Sequence, residues 1–249
     1  MGQILGIDVG GTGIKAALVD TDTGTFLKPK IKYATPQPST PHNVSTVLNQ
    51  LIKDFEVENT FIGCGFPAII KGSICKSAAN IDDEWIGVNL ADFLSENTSC
   101  QGLFLNDADA AGLAEMKFGA GKGRKGTVLM ITLGTGIGSG LFVDGKLVPN
   151  AELGHLLYKK SVFEHYASNG ARKKKELSWK SWGKVLNIYL EHLKLLLSPD
   201  LIILGGGVSK EFEQYKKYLK TDTEIVQAQL MNNAGIVGAA MNAYLSQQQ

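Results

Sequence analysis

The sequence has only three cysteines, no long apolar run and no marked excess of either charge. Cys64, Cys75 and Cys100 are odd in number, far apart and without a CxxC pair, which excludes a disulfide framework and a cysteine-rich zinc site. A reducing compartment, the cytoplasm, is therefore expected. No apolar run approaches the ~18 residues of a membrane-spanning helix, and strand-like sequence starts at once, so neither a membrane span nor a signal peptide is predicted.

Charges are balanced and glycine is abundant. The 25 lysines and arginines nearly equal the 24 aspartates and glutamates, so no global field favours nucleic acid or a membrane surface as a partner. With 44% hydrophobic and 20% charged residues, the 249-residue chain has the composition of a globular protein. Its 29 glycines predict many tight turns.

Two hairpins share one pattern, half a chain length apart. Residues 3 to 8 and 14 to 20 are strand-like around a turn at 10–13, and residues 127 to 143 form a similar hairpin around a turn at 134–136. The segments align without a gap at an offset of 124, with these identical pairs: Ile7 and Ile131, Gly10 and Gly134, Val19 and Val143, Asp20 and Asp144. The offset predicts an internal duplication and two similar lobes.

The rest of the pattern is mixed α/β. Further strands are predicted at 60–66, 101–105 and 201–204, and helices at 42–55, 108–118, 209–219 and 233–245. A long amphipathic helix is predicted from Trp182 onward, with Ser178 as its N-cap and Pro199 as its stop.

Three glycine turns, each after a buried strand, predict a site for a phosphorylated ligand. Each turn taken alone is interpreted as an ordinary hairpin or loop. The three together favour anion binding, because backbone N–H groups approach an anion closely where no Cβ intervenes. The candidate residues are Asp8, Gly10, Gly11, Thr12 and Lys15 in the first turn, Gly134, Thr135 and Gly136 in the second, and Gly205, Gly206 and Gly207 in the third. Asp8 is a candidate holder of a hydrated Mg²⁺.

Four segments of the sequence resemble motifs of a known family. The segments that carry the resemblance are Asp8-Val9-Gly10-Gly11-Thr12, Asn106-Asp107-Ala108, Leu133-Gly134-Thr135-Gly136-Ile137-Gly138 and Gly205-Gly206-Gly207. They resemble the phosphate, sugar and nucleotide motifs of the ROK family of sugar kinases. Similarity to the polyphosphate glucokinases within it is carried by residues 177–179 with Trp182, 198–202 with 205–210, and 228–230 with 233–240.

The resemblance implies a fold and its division. The expected fold is the two-lobed actin-like ATPase and sugar kinase fold, which is ribonuclease H-like, with duplicated mixed-sheet lobes. The N-terminal lobe is expected to comprise residues 1–108 and 233–249, and the C-terminal lobe residues 109–232. A homodimer is also implied, with the long helix near Ser178 as its candidate interface.

The resemblance places the family's catalytic aspartate on Asp107. Asn106 and Asp107 stand where a buried strand gives way to a helix, so the plainer interpretation is a helix N-cap. The functional interpretation makes Asp107 the general base that accepts a proton from the attacking sugar hydroxyl.

The same resemblance implies a sugar pocket without zinc. Its residues are Gly65, Pro67, Asn80, Asn106, Glu152, His155 and Glu164. In most of the family the histidine at position 155 also binds zinc with three following cysteines. Here no cysteine lies between His155 and Ser178, and Val162 stands where the last one is expected, so no zinc site is predicted.

The implied activity is transfer of a phosphoryl group to the 6-hydroxyl of glucose held between the two lobes. Inorganic polyphosphate is the expected donor, ATP a possible second one, and Mg²⁺ the expected cofactor. Two alternatives stay open: an ATP-dependent hexokinase of the family, acting on glucose or another hexose, and a non-catalytic sugar-responsive regulator. The regulator is disfavoured, because Asp107 is retained and the first strand leaves no room for a preceding DNA-binding helix-turn-helix.

Basic residues are clustered locally despite the neutral total. The clusters are Lys122, Arg124 and Lys125, then Arg172, Lys173, Lys174 and Lys175, then Lys210, Lys216, Lys217 and Lys220. Such runs are usually a solvated face. A track for a long polyphosphate chain is the functional alternative, whereas nucleic acid is not expected, because no recognised binding motif accompanies them.

Overall fold

The computed structural model describes residues 2–248. Met1 and Gln249, the two ends of the predicted N-terminal lobe, lie outside the described residues. The helices are α1 (Pro41–Phe55), α2 (Leu90–Asn97), α3 (Asp107–Phe118), α4 (Glu164–Ala167), α5 (Asn169–Lys174), α6 (Trp179–Leu197), α7 (Phe212–Tyr215) and α8 (Ala234–Ser246). The strands are β1 (Gln3–Val9), β2 (Ile14–Asp20), β3 (Ile31–Tyr33), β4 (Phe61–Phe66), β5 (Ile70–Lys71), β6 (Ile74–Cys75), β7 (Gln101–Asn106), β8 (Thr127–Leu133), β9 (Ile137–Val143), β10 (Lys146–Val148), β11 (Leu157–Tyr158), β12 (Ser161–Val162), β13 (Leu201–Gly205) and β14 (Glu224–Gln227).

The chain forms two compact units, each with its own five-stranded sheet, and the two sheets have the same topology. One unit extends to Ala114 and resumes at Asn233, and the other is Glu115–Asn232. The strand order is β3-β2-β1-β4-β7 in the first unit and β10-β9-β8-β13-β14 in the second. In both sheets the first three strands pair antiparallel and the last three pair parallel. The predicted duplication of a mixed sheet is confirmed.

The gap-free alignment of the two hairpins is wrong beyond the turn. Val9 pairs with Ile14 across a four-residue turn, whereas Leu133 pairs with Ile137 across a three-residue turn. The second strands therefore correspond only after one residue is skipped, and Val19 with Val143 and Asp20 with Asp144 are not equivalent positions. Turn length fixes register, and a shift of one residue turns every side chain to the other face.

Helix α8 packs on the sheet of the first unit through glycines. It lies against β1 and β4. A methyl group on Gly6 would overlap the carbonyl oxygen of Ile236, and one on Gly63 would overlap that of Ala239. The absent Cβ atoms thus let the helix backbone approach the strands more closely than ordinary side chains allow.

The three cysteines are free and buried in the first unit. Burial raises the pKa of the Cys64 and Cys75 thiols, which keeps both of them protonated and weakly reactive.

The long helix of the second unit begins at Trp179, directly after its predicted N-cap. Ser178 is its N-cap, as expected, and the Ser178 hydroxyl accepts a hydrogen bond from the Ser181 amide at 3.2 Å. The helix ends at Leu197, two residues before Pro199, with Ser198 in the left-handed region at φ 44°. Its buried side chains include Trp182, Leu186, Tyr189, Leu190 and Leu193.

The continuous helix predicted at 209–219 is wrong. A 3₁₀ turn at Gly207–Glu211 leads into α7, and a second 3₁₀ turn follows at Lys216–Tyr218. The reason is packing: Tyr215 is fully buried beside Trp182, with ring centroids 4.9 Å apart, and Tyr218 lies against Gly183 of α6. Packing Tyr215, fully buried, and Tyr218, half-buried, against one helix outweighs the helical propensity of the segment.

None of the helices within residues 2–248 combines the length and the apolar character needed to cross a membrane.

Candidate active site

The carboxyl ends of three parallel strands bring predicted site residues of the first unit together. Asp8 of β1 is the register partner of Gly65 of β4, and Phe66 of β4 is the partner of Asn106 of β7. Neighbouring strands lie about 4.8 Å apart, so Asp8, Gly65 and Asn106 lie side by side at the carboxyl end of the sheet. Asp107 follows as the first residue of α3.

The first predicted phosphate turn lies at the same end of the sheet. It is closed by a hydrogen bond from the Gly10 amide to the Gly13 carbonyl at 3.1 Å, and Thr12 is exposed in it. A methyl group on Gly11 would lie 3.0 Å from the backbone oxygen of Asn80. The predicted sugar-binding residue Asn80 therefore lies beside the predicted phosphate turn.

Asp8 is paired with a cation inside the first unit. Lys15, opposite it in the hairpin, donates to Oδ2 of Asp8 at 2.9 Å, and the aspartate side chain is 16% exposed. A methyl group on Gly235, in the first turn of α8, would lie 3.0 Å from the carboxyl carbon of Asp8. The carboxylate is thus held between a lysine and the first turn of α8.

Asn106 provides the N-cap of α3. Its Oδ1 accepts hydrogen bonds from the amides of Ala108 at 2.9 Å and Asp109 at 3.2 Å. Its Nδ2 donates to the carbonyl of Ala68 at 3.2 Å, which fixes the loop containing Pro67. The capping interpretation is therefore satisfied by Asn106, and the half-buried Asp107 side chain stands at the first position of the helix.

The second and third glycine turns are adjacent in the second unit. Gly205 is the register partner of Thr132, and a methyl group on Gly206 would lie 2.6 Å from the amide nitrogen of Leu133. Gly206 also has a positive φ of 78°, which few residues other than glycine adopt. Two of the three predicted donor-binding turns thus share one edge of this sheet.

The turn at residues 134–136 is braced from two sides. Oε2 of Glu164 accepts a hydrogen bond from the Ile137 amide at 2.7 Å, and a methyl group on Gly136 would overlap that carboxylate. The Gly170 amide donates to the Gly134 carbonyl at 2.9 Å. Sequence reasoning missed this brace, because no local pattern links residues 164 and 170 to a turn thirty residues earlier.

Glu152 and His155 lie near the start of β9, directly after the same turn. Gly154 packs against Ile137, and the Leu153 amide donates to the Ser139 hydroxyl at 2.9 Å. Nδ1 of His155 lies 3.1 Å from Oε2 of Glu152. The predicted sugar-binding residues of the second unit, Glu152, His155 and Glu164, are therefore gathered around the start of β9.

Aromatic rings fix the segment that carries Glu164. Phe163 is fully buried, stacks on Tyr158 at a centroid distance of 4.3 Å and lies 5.1 Å from the ring of Tyr189. Burial, with smaller contributions from the charges of Glu164 and Glu152, raises the pKa of the Tyr189 hydroxyl. Helical spacing places Tyr189 on the buried face of α6, and only the folded chain brings it near the two glutamates.

Gly134 offers a test of the phosphate turn. Among the described residues other than its two chain neighbours, no atom lies within 4 Å of a methyl group built on Gly134, so Gly134→Ala should keep the unfolding temperature of the protein. If a donor phosphate contacts this backbone, the methyl group meets the phosphate, and the donor KM should rise about 10- to 100-fold. Gly136→Ala is the contrast, because it also displaces Glu164 and should lower stability. An unchanged donor KM in Gly134→Ala would exclude this turn from the donor site.

The comparisons with known proteins agree with the motifs. A profile of the ROK family matches residues 4–169, more than half of the chain. The polyphosphate glucokinase of Mycobacterium tuberculosis H37Rv is 40% identical over 237 residues, covering 95% of this chain and 89% of that protein. That of Mycobacterium leprae is 40% identical over 95% of this chain and 73% of that protein.

Solved structures show the same fold. The inorganic polyphosphate/ATP-glucomannokinase from Arthrobacter sp. strain KM has a TM-score of 0.95 and 44% identity, covering 99% of this chain and 100% of that chain. The ROK family glucokinase from Streptomyces griseus, solved with glucose and AMPPNP, has a TM-score of 0.85 and 25% identity, covering 98% and 100%. The predicted sugar kinase fold is confirmed, and with the family profile and the 40% identity these matches show that this chain belongs to the ROK family.

Proposed function

We propose that this protein is a kinase that transfers the terminal phosphoryl group of inorganic polyphosphate to the 6-hydroxyl of glucose. ATP is the second donor. The main support is the structure's resemblance over its whole length to an Arthrobacter enzyme whose name gives both donors. The mycobacterial relatives are polyphosphate glucokinases, which agrees with the activity that the motifs imply.

Asp107 is the general base of the proposed reaction. The 6-hydroxyl oxygen attacks the terminal phosphorus, the bridging P–O bond breaks, and a polyphosphate shorter by one unit leaves. The hydroxyl proton passes to the carboxylate of Asp107. The cap made by Asn106 supports this role, because it fixes the first turn of α3, where Asp107 stands. General-base catalysis contributes about 10²- to 10⁴-fold to rate.

The glycine turns hold the donor and the polar residues hold the sugar. Backbone amides of the three turns are the donors to phosphate oxygens, with Thr12 and Lys15 beside the first turn. Glucose has a hydroxyl on most of its carbons, and each needs a partner when it leaves water. The proposed partners are Asn80, Asn106, Glu152, His155 and Glu164, with Gly65 and Pro67 lining the pocket.

The side chains of the candidate site fit a Mg²⁺ ion that is bound chiefly through the phosphates of the phosphoryl donor. Within the described residues no cluster of three or more carboxylate, imidazole or thiol side chains could enclose a metal ion. Mg²⁺ in kinases keeps several waters and needs only one or two carboxylates besides the phosphates, a requirement that Asp8 meets. The ion would neutralise charge on the transferring group, and Lys15 holds the Asp8 carboxylate at a fixed position for it.

The first experiment compares donors and sugars. Initial rates of sugar phosphate formation are measured with Mg²⁺, using long-chain polyphosphate and ATP at equal concentrations of terminal phosphate. Glucose is the expected sugar, and mannose is the second arm because the Arthrobacter enzyme is a glucomannokinase. A higher rate with polyphosphate is expected. Activity with ATP alone would favour the alternative of an ATP-dependent hexokinase, and no activity with any pair would favour the sugar-responsive regulator.

Self-association and cellular location stay predictions. Helix α6 exposes Leu195 and Leu196 by 80% and 56%, which favours α6 as the surface of the predicted homodimer. Sedimentation velocity over a range of concentrations tests it, and a monomer at all concentrations would refute the dimer. The free, buried thiols are those expected of a chain in the reducing cytoplasm.

A further inference from the structure

The three basic clusters of the second unit lie at different distances from its glycine turns. The cluster of Lys122, Arg124 and Lys125 precedes Thr127, where β8 begins, whereas the turn at Gly134 follows the end of that strand. A seven-residue strand is about 20 Å long. Arg124 also forms an ion pair with Glu224. This cluster is therefore distant from the phosphate turns and partly neutralised.

The cluster around Lys216 is also poorly placed. Lys216, Lys217 and Lys220 precede β14, which runs parallel to β13 and β8, so the chain enters the sheet at the edge opposite the turns. Lys216 is paired with Glu213 at 2.7 Å. Lys210 lies closer to the third turn, but Glu211 adjoins it in the sequence.

The cluster at residues 172–175 is attached directly to the second phosphate turn. Its helix α5 begins at Asn169, and Gly170 of that helix donates to Gly134. A six-residue helix is only about 9 Å long, so the basic residues at its end stay close to the turn. The guanidinium of Arg172 lies 3.9 Å from the ring centre of Trp179, and Lys175 donates to the His165 carbonyl at 2.7 Å. These contacts fix both flanks of the cluster.

Lys173 and Lys174 carry uncompensated charge. Both are exposed, and neither forms an ion pair with any residue that the structure describes. Between residues 165 and 190 the chain has six lysines and arginines and a single carboxylate, Glu176. Lys180 and Lys184 continue the charge on the first turns of α6 at a spacing of four, where like charges disfavour the helix slightly. Helix stability therefore does not account for this concentration of positive charge.

We propose that a long polyphosphate chain, with its terminal phosphate at the turn of residues 134–136, extends along α5 over Lys173 and Lys174. This inference rests on the proposed function and names the path of the donor. Each unit of the chain carries negative charge, so the two exposed ammonium groups attract the phosphates beyond the reacting one. ATP has no phosphates beyond its third and gains nothing from this surface.

The test uses two double variants that remove the same charge at different distances from the glycine turns. Lys173→Gln with Lys174→Gln should raise the KM for long-chain polyphosphate about 2- to 30-fold, the effect of losing two exposed charge pairs. The KM values for ATP and glucose should change much less. The slope of log KM against log salt concentration should fall by about 1.4 for polyphosphate, from ~0.7 for each lost phosphate contact along a single strand. Lys122→Gln with Lys125→Gln is the matched control and should keep the wild-type KM and slope.

Each outcome decides the proposal. A rise in the polyphosphate KM confined to the α5 variant supports the path. Equal effects in both variants would show a general charge effect and overturn it, as would an unchanged KM in the α5 variant while the wild-type protein uses polyphosphate. If the wild-type protein does not use polyphosphate at all, the proposed function fails, and the path fails with it.

Discussion

Replacing Asp107 with asparagine should lower kcat by about 10²- to 10⁴-fold while the protein keeps its fold and its affinity for glucose. Asparagine has the same shape but cannot accept the hydroxyl proton at neutral pH. Asn106 still caps α3 in the variant, so the helix should keep its first turn. Because the lost interaction belongs to the transition state, kcat and kcat/KM should fall together. Steady-state kinetics and glucose binding by calorimetry measure the two effects separately.

Asp92→Asn is the matched control for that variant. Asp92 is exposed in the first turn of α2, so its replacement also removes a carboxylate from the start of a helix in the first unit. The loss of a favourable charge at a helix N-terminus costs about 0.3–1 kcal/mol of stability in either variant. Only Asp107→Asn should lose turnover. Near-normal turnover in Asp107→Asn would refute the general-base assignment.

Replacing Gly63 with alanine should lower the free energy of unfolding by about 3 kcal/mol. The new methyl group would overlap the carbonyl oxygen of Ala239, which belongs to the backbone of α8 and cannot move aside as a side chain can. The helix would have to shift away from β4. Urea denaturation followed by circular dichroism measures the loss, and hydrogen exchange in α8 locates it.

Gly65→Ala provides the comparison on the same strand. Its methyl group would have its nearest neighbour, the Cβ of Ala110, at 3.5 Å, an ordinary contact. Alanine also restricts the unfolded chain, so stability should be unchanged or rise by up to about 1 kcal/mol. Equal destabilisation by both variants would show that close packing of α8 is not the cause.

Local features of the sequence predicted much of the fold. Strand-like runs around glycine turns gave the two central hairpins, and Ser178 was recognisable as an N-cap because capping depends on residues close in sequence. The one-residue difference between the turns was not visible, since two chance identities, at Val143 and Asp144, supported the gap-free alignment. The segment at 209–219 departs from a helix because Tyr215 and Tyr218 pack on α6, which is a tertiary effect.

The candidate site was predictable as a set of residues and not as an arrangement. Motifs made Asp107 and Glu164 candidates, which they remain, but the sequence could not assign the cap to Asn106 or show that Glu164 braces the turn at residues 134–136. It also gave three equivalent basic clusters. Only sheet topology separates the cluster next to a predicted phosphate turn from those at the opposite end of the sheet, because the distance between them is set by strand pairing.

The glycine contacts of α8 also affect the order in which the newly made chain can complete its packing. Translation proceeds from the N-terminus, so the ribosome has made the whole first sheet long before it reaches residues 234–246. Until then Gly6 and Gly63 have no helix backbone to cover them. The second unit is continuous from Glu115 to Asn232, so its synthesis is complete before α8 of the first unit is made. Nascent chains thus expose an open sheet face during elongation, at the stage when chaperones bind apolar surface.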